Sequence, residues 1–440
     1  MNFLEYCRNQ AFWLMDAAKG SRVKKALTSI KKIESNRHDG YVLQLHQKAA
    51  LAGLLKYVLE TVPYYKGKHF AKLGDFPVTN KNLYRSNYDA FISSHYKKEG
   101  LVQMHTSGST GTPFTCYQND GKKKHVNAET LFYNGLVGFE IGRRIIYLRS
   151  CAGDYSKSKL VQFIQNIDVL DCGNLSDEGI EQKLEYIRRR SKQSGALLMG
   201  YSTTFDIFRR YFEKYGYDKA KGCNVYGIVS GSTMLYDDTR NSLEKAFGCK
   251  CVSRYANEEN GFLGQDSEEN NVFLMNETDY YFEILKIDSD EQAQIGEIGR
   301  IVVTDLYNYG MPMVRYDTGD VGAWVETKHN GTAVKAIGNF GGRVVDLVYD
   351  CENVPVSPHE ISNIMKKYQG VNQYQFVQKD KGVYLMKINM FDISLDEVSL
   401  LKDIKDKFGE KAQVTFEYCK EIPVLASGKR RYVVNEMVKK

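Results

Sequence analysis

The amino-terminal part of the chain has the apolar spacing of helices. Residues 3–62 alternate apolar and basic positions, with Leu51 and Leu55 on one face, and the pattern stops at Pro63. Proline cannot continue a helix because it has no backbone N–H to donate. We therefore predict a helical cap over residues 1–75.

Short apolar runs then alternate with charged helical stretches between residues 144 and 253. Each apolar run has the length of a buried strand, and each intervening stretch can form a helix that crosses over the sheet. This order predicts a mainly parallel sheet. The predicted strands are 144–148, 196–199, 225–229 and 250–252, and the predicted helices are 176–193, 203–215 and 236–247.

A different pattern follows residue 272. Residues 273–303 have the pattern of antiparallel hairpins, and a compact α+β pattern begins at residue 347. The predicted fold class is α/β. A large N-terminal domain, residues 1–346, has mainly parallel sheets and a β-rich subdomain, and a small mobile α+β domain, residues 347–440, follows it. The elements predicted for the small domain are a helix at 358–368, a hairpin at 372–390, a helix at 395–408 and a strand at 412–419.

Composition and charge exclude several classes of protein. The 440 residues are 42% hydrophobic and 26% charged, which is ordinary for a folded chain and excludes a fibrous or disordered one. The net charge of +6 is small, and we interpret the runs Lys122–Lys124 and Arg188–Arg190 as solvated helix faces, so no nucleic-acid partner is predicted. No run of about 18 apolar residues occurs, and the charges within Asn2–Lys19 do not suit a signal peptide. We predict a cytoplasmic protein without a membrane span.

The nine cysteines have no regular spacing, which indicates reduced thiols rather than a disulfide framework. Cys249 and Cys251 have the spacing of two metal ligands, but no second pair or neighbouring histidine completes a site. Buried structural thiols are the simpler interpretation, and metal binding at this pair stays open.

The first candidate for chemistry is the loop that begins at Thr106 and ends before Pro113. Its small and hydroxylated residues offer backbone N–H groups and hydroxyls that can hold a polyphosphate. It is not a Walker A loop, because no Gly-Lys-Ser/Thr follows the glycines and Phe114 stands where a basic residue is expected. This disfavours a kinase or P-loop NTPase. The alternative is an ordinary surface loop.

Two further candidate segments follow predicted strands, where the ligands of parallel sheets collect. Ser230-Gly231-Ser232 comes after the strand at 225–229 and offers bare backbone to a flat ring. Tyr255 comes after the next predicted strand and lies near two carboxylates, Glu258 and Glu259. Read alone, the first segment is a strand-to-helix turn and the second an exposed acidic loop.

The last candidates lie in the second half of the chain. Asp320 closes a Thr-Gly turn, where a carboxylate can accept hydrogen bonds from two neighbouring hydroxyls, as on a ribose. Arg343 follows a glycine-rich stretch, and Asp346 comes three residues later. Lys429 lies on a Ser-Gly turn, from which its charge can move into a site, although a basic C-terminal tail is the alternative.

Together, these segments resemble the adenylate-forming superfamily, most closely its branch of phenylacetate-CoA ligases and capsular-polysaccharide biosynthesis proteins. The resemblance implies two steps: a carboxylate attacks the α-phosphate of ATP in the presence of Mg²⁺, and a thiol of CoA or of a carrier protein then takes the acyl group. A role in polysaccharide biosynthesis is a further implication. The matching segments, in order, are 62–65, Thr106–Pro113, Tyr255–Glu259, Tyr316–Asp320, Gly342–Asp346 and Ser427–Lys429.

The resemblance also implies which residues bind the nucleotide. Gly231 and Ser232 would lie along the adenine, Tyr255 would pack against it, and Asp320 would accept hydrogen bonds from both ribose hydroxyls. The β- and γ-phosphates would be held by Thr106, Ser107, Gly108, Ser109, Thr110 and Gly111.

Four residues would have catalytic or conformational roles on the same grounds. Glu259 would bind Mg²⁺, and Arg343 would contact the ribose or the α-phosphate. Asp346 would be the hinge of the small domain, and Lys429 would bridge the carboxylate and the α-phosphate. Since Glu258 stands where threonine or serine is usual, the register decides which carboxylate faces the metal, and we choose Glu259.

The acceptor of the acyl group is less certain from the sequence. Asp350 and Glu352 occupy a loop where the family commonly has lysine and glycine, and their charges would repel the phosphates of CoA. A carrier protein, an amine or a sugar is therefore an alternative acceptor, and a catalytically silent nucleotide-binding scaffold is an alternative to the enzyme. The acid and the oligomeric state stay open.

Overall fold

The structure is a computed structural model in which the chain divides into two compact units. The first contains Met1–Phe282, Val303–Tyr316 and Thr327–Val334, and the second contains Glu283–Val302, Asp317–Glu326 and Lys335–Lys440. The domain boundary at residue 346 stays a prediction. The structure describes residues 1–437 apart from 38, 106–113, 150–157, 173–174, 268, 344–347, 354, 357–360, 362–363, 366, 369, 391–394 and 423–430, and describes no side chain for 341–343, 355 and 372.

The predicted helical cap contains three helices, α1 (Phe3–Ala18), α2 (Arg22–Ser35) and α3 (Gly40–Thr61). Helix α1 begins with a capping box, because the Asn2 side chain accepts a hydrogen bond from the backbone N–H of Glu5 and the Glu5 carboxylate accepts one from that of Asn2. Helix α3 ends just before Pro63, as the sequence predicts. Among the described residues, no helix has the length and apolar character needed to cross a membrane.

Two short helices and a hairpin follow in the first unit. The helices are α4 (Lys81–Ser86) and α5 (Tyr88–Phe91), and the hairpin pairs β1 (Val102–His105) with β2 (Thr115–Gln118) in antiparallel register. His105 lies opposite Thr115, so the predicted phosphate loop connects the two strands of this hairpin. The loop itself lies outside the described residues. Helix α6 (Asp120–Gly135) begins directly after β2.

The first unit contains the predicted parallel sheet. Its order is β4–β3–β5–β6–β7, and every neighbouring pair is parallel. Strands β8 and β9 extend this sheet in antiparallel pairing beyond β7. Apolar residues of β5 and of the helices around it form one buried core cluster. The elements are β3 (Arg144–Arg149), α7 (Lys159–Gln165), β4 (Ile167–Asp171), α8 (Asp177–Ser191), β5 (Ala196–Tyr201), α9 (Ser202–Tyr215), β6 (Val225–Gly231), α10 (Asp237–Phe247), β7 (Cys251–Asn257), β8 (Gly261–Asp266) and β9 (Phe273–Met275).

Four long strands follow, and the boundary between the two units falls within all of them. They lie in the order β10 (Tyr280–Leu285), β11 (Gly299–Asp305), β12 (Tyr316–His329) and β13 (Thr332–Arg343). In the second unit, Arg300 of β11 and Asp317 of β12 form a salt bridge of 2.8 Å. The Thr318 hydroxyl donates to the carbonyl oxygen of Ile301 at 2.9 Å, which fixes β12 beside β11.

The C-terminal part of the second unit has the predicted α+β architecture. Strand β16 pairs with β17 in antiparallel register, and β18 and β19 flank this pair in parallel register. Helix α11 starts at an Asp396 cap and stops at Gly409, whose φ of +98° suits glycine. The fold class is confirmed as α/β with an α+β C-terminal region. The elements are β14 (Val348–Tyr349), β15 (Pro355–Val356), β16 (Val371–Asp380), β17 (Val383–Met390), α11 (Glu397–Phe408), β18 (Gln413–Tyr418) and β19 (Val433–Asn435).

Candidate functional site

Glu259 lies in the turn between β7 and β8, and its carboxylate is buried, with 2% of the side chain exposed. Its Oε1 lies 2.7 Å from Nζ of Lys81 and accepts a hydrogen bond of 3.1 Å from the Tyr316 hydroxyl. A carboxylate removed from water needs such partners, since desolvation of an unpaired charge is costly. Burial and the charge of Glu259 raise the pKa of Tyr316, so the phenol keeps its proton and donates.

Lys81 is held in place by hydrogen bonds between two distant segments of the first unit. The backbone N–H of Thr79 donates to the carbonyl oxygen of Arg315 at 2.9 Å, and its hydroxyl donates to that of Val314 at 3.0 Å. The Tyr84 hydroxyl donates to the carbonyl oxygen of Pro312 at 2.9 Å. These contacts fix the first turn of α4 beside the segment that ends in Tyr316, so Lys81 and Tyr316 reach the same carboxylate oxygen.

The backbone of the β7–β8 turn is held as firmly as its carboxylate. The Gln118 side chain donates to the carbonyl oxygen of Glu259 at 2.9 Å, and the backbone N–H of Asn260 donates to the Asn257 side chain at 2.8 Å. The Tyr280 hydroxyl donates to the carbonyl oxygen of Asn260 at 2.7 Å. Because three separate elements hold the turn, Glu259 is fixed before any ligand binds.

A fully buried polar cluster, Lys122, Glu129, Tyr280 and Asp305, lies behind this turn. Nζ of Lys122 is 2.7 Å from the Tyr280 hydroxyl and 3.0 Å from Oδ2 of Asp305. Oε2 of Glu129 accepts from the backbone N–H of Phe262 at 3.0 Å. Burial raises the pKa of Glu129 well above its usual value, and the Asp305 carboxylate lies within ion-pair distance of Lys122.

The buried cluster corrects one interpretation of the sequence. We expected the run Lys122–Lys124 to be a solvated helix face, and this is wrong for Lys122, whose side chain is 0% exposed. The run begins on the side of α6 that faces β8 and β10, so its first lysine points into the protein. Contiguous lysines in a sequence do not show which one points inward, since successive residues of a helix lie on different faces.

Glu258 differs from Glu259 because it reaches the surface. Desolvation by the surrounding protein and the charge of Glu259 raise the pKa of Glu258, whereas the positive charges of Arg149, Lys123 and Arg254 lower it. Three cations thus surround the outer carboxylate. The sequence does not show Arg149 and Lys123 as neighbours, because they come from β3 and α6, whereas Arg254 lies on β7, just before Glu258. The turn therefore presents one inward and one outward carboxylate.

The structure brings the ends of β6 and β7 together, as expected for the predicted adenine site. Ser230 pairs with Ser253 in parallel register, and a Cβ added to Gly231 would lie 3.8 Å from the Arg254 side chain. Ser232 has φ of +78°, which is uncommon for a residue with a side chain. The Ser202 hydroxyl supports this turn by donating to the carbonyl oxygen of Thr233 at 2.7 Å.

The other predicted nucleotide contacts are placed as follows. Tyr255 is 7% exposed, and its ring lies edge-on to Phe273 with centroids 6.4 Å apart. Asp320 is half-buried on β12 in the second unit, and its backbone N–H donates to the Thr318 hydroxyl at 3.1 Å. Gly319 before it has φ of +78°, which glycine adopts without strain. The roles of both side chains stay predictions.

Several predicted site residues lie outside the described residues. These are the loop Thr106, Ser107, Gly108, Ser109, Thr110 and Gly111, the hinge Asp346 and the catalytic Lys429. Arg343 ends β13, but its side chain is not described. Their roles therefore also stay predictions.

The residues around Glu259 fit a magnesium ion that is shared with a polyphosphate. Both contacts of the carboxylate go to Oε1, so Oε2 has no partner within the described part of the chain. Mg²⁺ is usually bound by one or two carboxylates together with substrate phosphates. Across the described ranges, no group of three or more His, Cys, Asp or Glu residues could hold a metal without a substrate.

Burial raises the pKa of Cys249 to about 12 and also raises the pKa of Cys251, which favours neutral thiols at that pair.

The chain is similar to several known proteins. Residues 348–436 match the family model of the CapK C-terminal domain. Protein CapK of Staphylococcus aureus is 25% identical over 382 residues, which cover 83% of this chain and 81% of that protein. Phenylacetate-coenzyme A ligase of Pseudomonas putida is 24% identical over 371 residues, which cover 75% and 77%. A crystal structure of 2-hydroxyisobutyryl-CoA ligase in its postadenylation state has a TM-score of 0.64 at 13% identity, covering 90% of this chain and 89% of that one.

The sequence relatives and the shared fold together support the adenylate-forming superfamily for this chain. Within it, the chain is similar to CapK and the phenylacetate-CoA ligases, which supports that branch. The resemblance predicted from the sequence motifs is thereby confirmed.

Proposed function

We propose that the protein activates a carboxylic acid with ATP, forming an acyl-adenylate and pyrophosphate, and then transfers the acyl group to a thiol such as that of CoA. The observation that carries the proposal is the buried carboxylate of Glu259, which two donors hold at Oε1 while Oε2 has no partner among the described residues. Phenylacetate-CoA ligases among the relatives support the reaction class.

In this proposal the chain stabilises charge and supplies no nucleophile, because the acid itself attacks the phosphate. Gly231 and Ser232 lie along the adenine, Tyr255 packs on it, and Asp320 accepts from the ribose hydroxyls. The glycine- and serine-rich loop at 106–111 holds the β- and γ-phosphates through its N–H groups. Glu259 would hold Mg²⁺, which would supply neutralisation of the phosphate charge.

The remaining roles belong to residues near the C-terminal region. Arg343 contacts the ribose or the α-phosphate, and Lys429 bridges the attacking carboxylate and the α-phosphate. Asp346 is the hinge that lets residues 347–440 bring Lys429 to the nucleotide and withdraw it before acyl transfer. A lysine on a moving domain allows one fold to perform two different half-reactions in turn.

A second candidate function keeps the adenylation step and changes the acceptor to a carrier protein, an amine or a sugar. Glu352 is exposed in the loop after the predicted hinge, and its backbone N–H donates to the Asp350 carboxylate at 2.8 Å. Two acidic side chains in one turn disfavour the phosphates of CoA nearby. Polysaccharide biosynthesis, suggested by the sequence resemblance alone, is the setting in which a sugar acceptor would be expected.

The test is exchange of labelled pyrophosphate into ATP across a panel of aryl, short-chain, hydroxy and amino acids. Exchange that depends on one acid supports adenylation and identifies that acid. The same acid with ATP, with and without CoA, then separates the two acceptors, since a product that forms equally well without CoA excludes CoA ligation. ATP binding with no exchange for any acid would overturn the proposal in favour of a silent scaffold.

A further inference from the structure

Helix α1 buries two carboxylates and leaves several large apolar side chains exposed. Glu5 and Asp16 are buried, and Asp16 accepts hydrogen bonds from the backbone N–H groups of Val23 and Lys24 at 3.0 Å. Every exposed position of α1 is uncharged. The apolar side chains on this face include Phe3, Leu4, Tyr6, Leu14 and Met15, of which Phe3 is 81% and Leu14 is 70% exposed.

The apolar face of α1 continues onto α7. The Arg8 guanidinium donates to the carbonyl oxygen of Phe163 at 3.0 Å and lies 5.0 Å from the centre of its ring, so the two helices are adjacent. Leu160, Phe163 and Ile164 are 68%, 64% and 54% exposed. Two neighbouring helices of a folded unit thus leave large apolar side chains in water, which is a mark of an interaction surface. We call these exposed side chains of α1 and α7 the apolar surface.

Helix α2, next to α1, has an outer face of one charge sign. Its exposed positions hold basic or neutral residues and no acid. Arg22 pairs with Asp120 at 2.7 Å, whereas Lys24, Lys25, Lys31 and Lys32 form no ion pair with the described residues. These four lysines, which we call the basic surface, leave an unbalanced positive charge beside the apolar surface.

The apolar and basic surfaces lie on the outer sides of helices that share one core. Phe12 and Trp13 of α1 pack in the same cluster as Val23 and Ile30 of α2, together with Ala128 of α6. Since both helices turn their inner faces towards this cluster, their exposed faces point away from it. Two helices packed on one core therefore carry, on their exposed faces, large apolar side chains and lysines that form no ion pair with the described residues.

We propose that the apolar and basic surfaces of the first unit together bind the surface of an anionic lipid bilayer. Apolar side chains that enter the acyl boundary and lysines that meet anionic headgroups are the two contributions that hold amphipathic helices on membranes. The charge of the basic surface favours an anionic bilayer over a second copy of the chain, because anionic headgroups balance its four lysines whereas the exposed positions of α2 offer no acid. The inference does not depend on the proposed adenylation.

The test uses the full chain and sedimentation with vesicles of phosphatidylcholine alone or of three parts phosphatidylcholine to one part phosphatidylglycerol. The protein is expected to pellet with the anionic vesicles and to stay in solution with the neutral ones. Salt at about 0.5 M should release much of it, because screening weakens the lysine contribution. Thermal melts of every variant show that loss of binding is not loss of folding.

Two pairs of variants separate the apolar and electrostatic contributions. Leu14→Gln with Phe163→Gln should lower the partition coefficient at least about tenfold. Lys31→Gln with Lys32→Gln should lower it about 25-fold, since each lysine near an anionic surface contributes about fivefold. Matched controls are Ile295→Gln with Val398→Gln and Lys402→Gln with Lys411→Gln, all exposed and in the second unit, and these should bind as the parent does.

Three results would overturn the proposal. The parent chain could stay in solution with both vesicles, or the variants of the apolar and basic surfaces could pellet as the parent does. Alternatively, the parent could fail to bind vesicles but form a dimer in sedimentation equilibrium. The double variant Leu14→Gln with Phe163→Gln would then be a monomer. That last result would assign the surface to a second copy of the chain.

Discussion

Nζ of Lys81 lies 2.7 Å from Oε1 of Glu259, a carboxylate with 2% of its side chain exposed, across 178 positions of sequence. Lys81 neutralises the buried charge when no metal ion is present, and the Tyr316 hydroxyl donates to the same carboxylate oxygen. The carboxylate therefore keeps one oxygen for the protein and one for a ligand.

Replacing Lys81 with methionine is expected to destabilise the first unit. Removing one partner of a buried ion pair costs about 3–5 kcal/mol, and we expect about 1–3 kcal/mol because the Lys81 side chain is 36% exposed. Urea unfolding of the variant measures the loss. Combining Lys81→Met with Glu259→Gln should restore part of the stability, because the unpaired charge of the Glu259 carboxylate is then removed. A single variant as stable as the parent would contradict the pairing.

Glu259→Gln and Glu258→Gln form a matched pair for the catalytic role. We expect Glu259→Gln to lower the rate of pyrophosphate exchange about 100-fold. The reason is that the fixed negative charge proposed to hold Mg²⁺ beside the phosphates is lost. The second should change the rate less than about threefold, since Glu258 reaches the surface and is not held by the donors that fix Glu259. Exchange assays at saturating ATP and acid measure both. If Glu258→Gln lowers the exchange rate more than Glu259→Gln does, the ligand role belongs to Glu258.

Glu129→Gln is expected to change how stability depends on pH. Burial raises the folded-state pKa of Glu129 above its ordinary value of 4.5, so the parent loses stability as pH rises from about 4.5 towards the folded pKa. Glutamine keeps one donor and one acceptor but does not titrate. The variant should thus gain stability relative to the parent between pH 5 and pH 7.5 in urea unfolding. A constant difference across that range would mean that Glu129 is ionised in the folded protein.

Lys429→Ala is expected to abolish adenylate formation and to leave ATP binding nearly unchanged. In the proposed mechanism this lysine acts only when the small domain brings it to the α-phosphate. Pyrophosphate exchange and calorimetric titration with ATP measure the two properties separately. Exchange at the parent rate would show that Lys429 does not have this role, and loss of ATP binding would place it in the binding site instead.

The sequence predicts the parallel sheet well because strands such as 225–229 are buried apolar runs between amphipathic helices. It misses β4, whose Asp168 and Asp171 interrupt the apolar run at one edge of the sheet. It identifies Glu259 through its motif but not Lys81, because no periodicity connects residues so far apart. The sequence also does not show that the Lys122 side chain is buried, since this depends on which side of α6 contacts β8 and β10.

Glu5 has two functions in the architecture of α1. It completes the capping box that starts the helix, and its Oε1 accepts hydrogen bonds from Ser194 at 2.6 Å and from Asn166 at 3.5 Å. Gly142 lets the helix approach, because a Cβ there would lie 2.1 Å from the carbonyl oxygen of Glu5. Trimming the chain by five residues would therefore remove the initiation signal of the helix and one of its attachments together. Truncated forms are expected to fray at the start of the helix, which exposes the loops beneath its first turns to proteases.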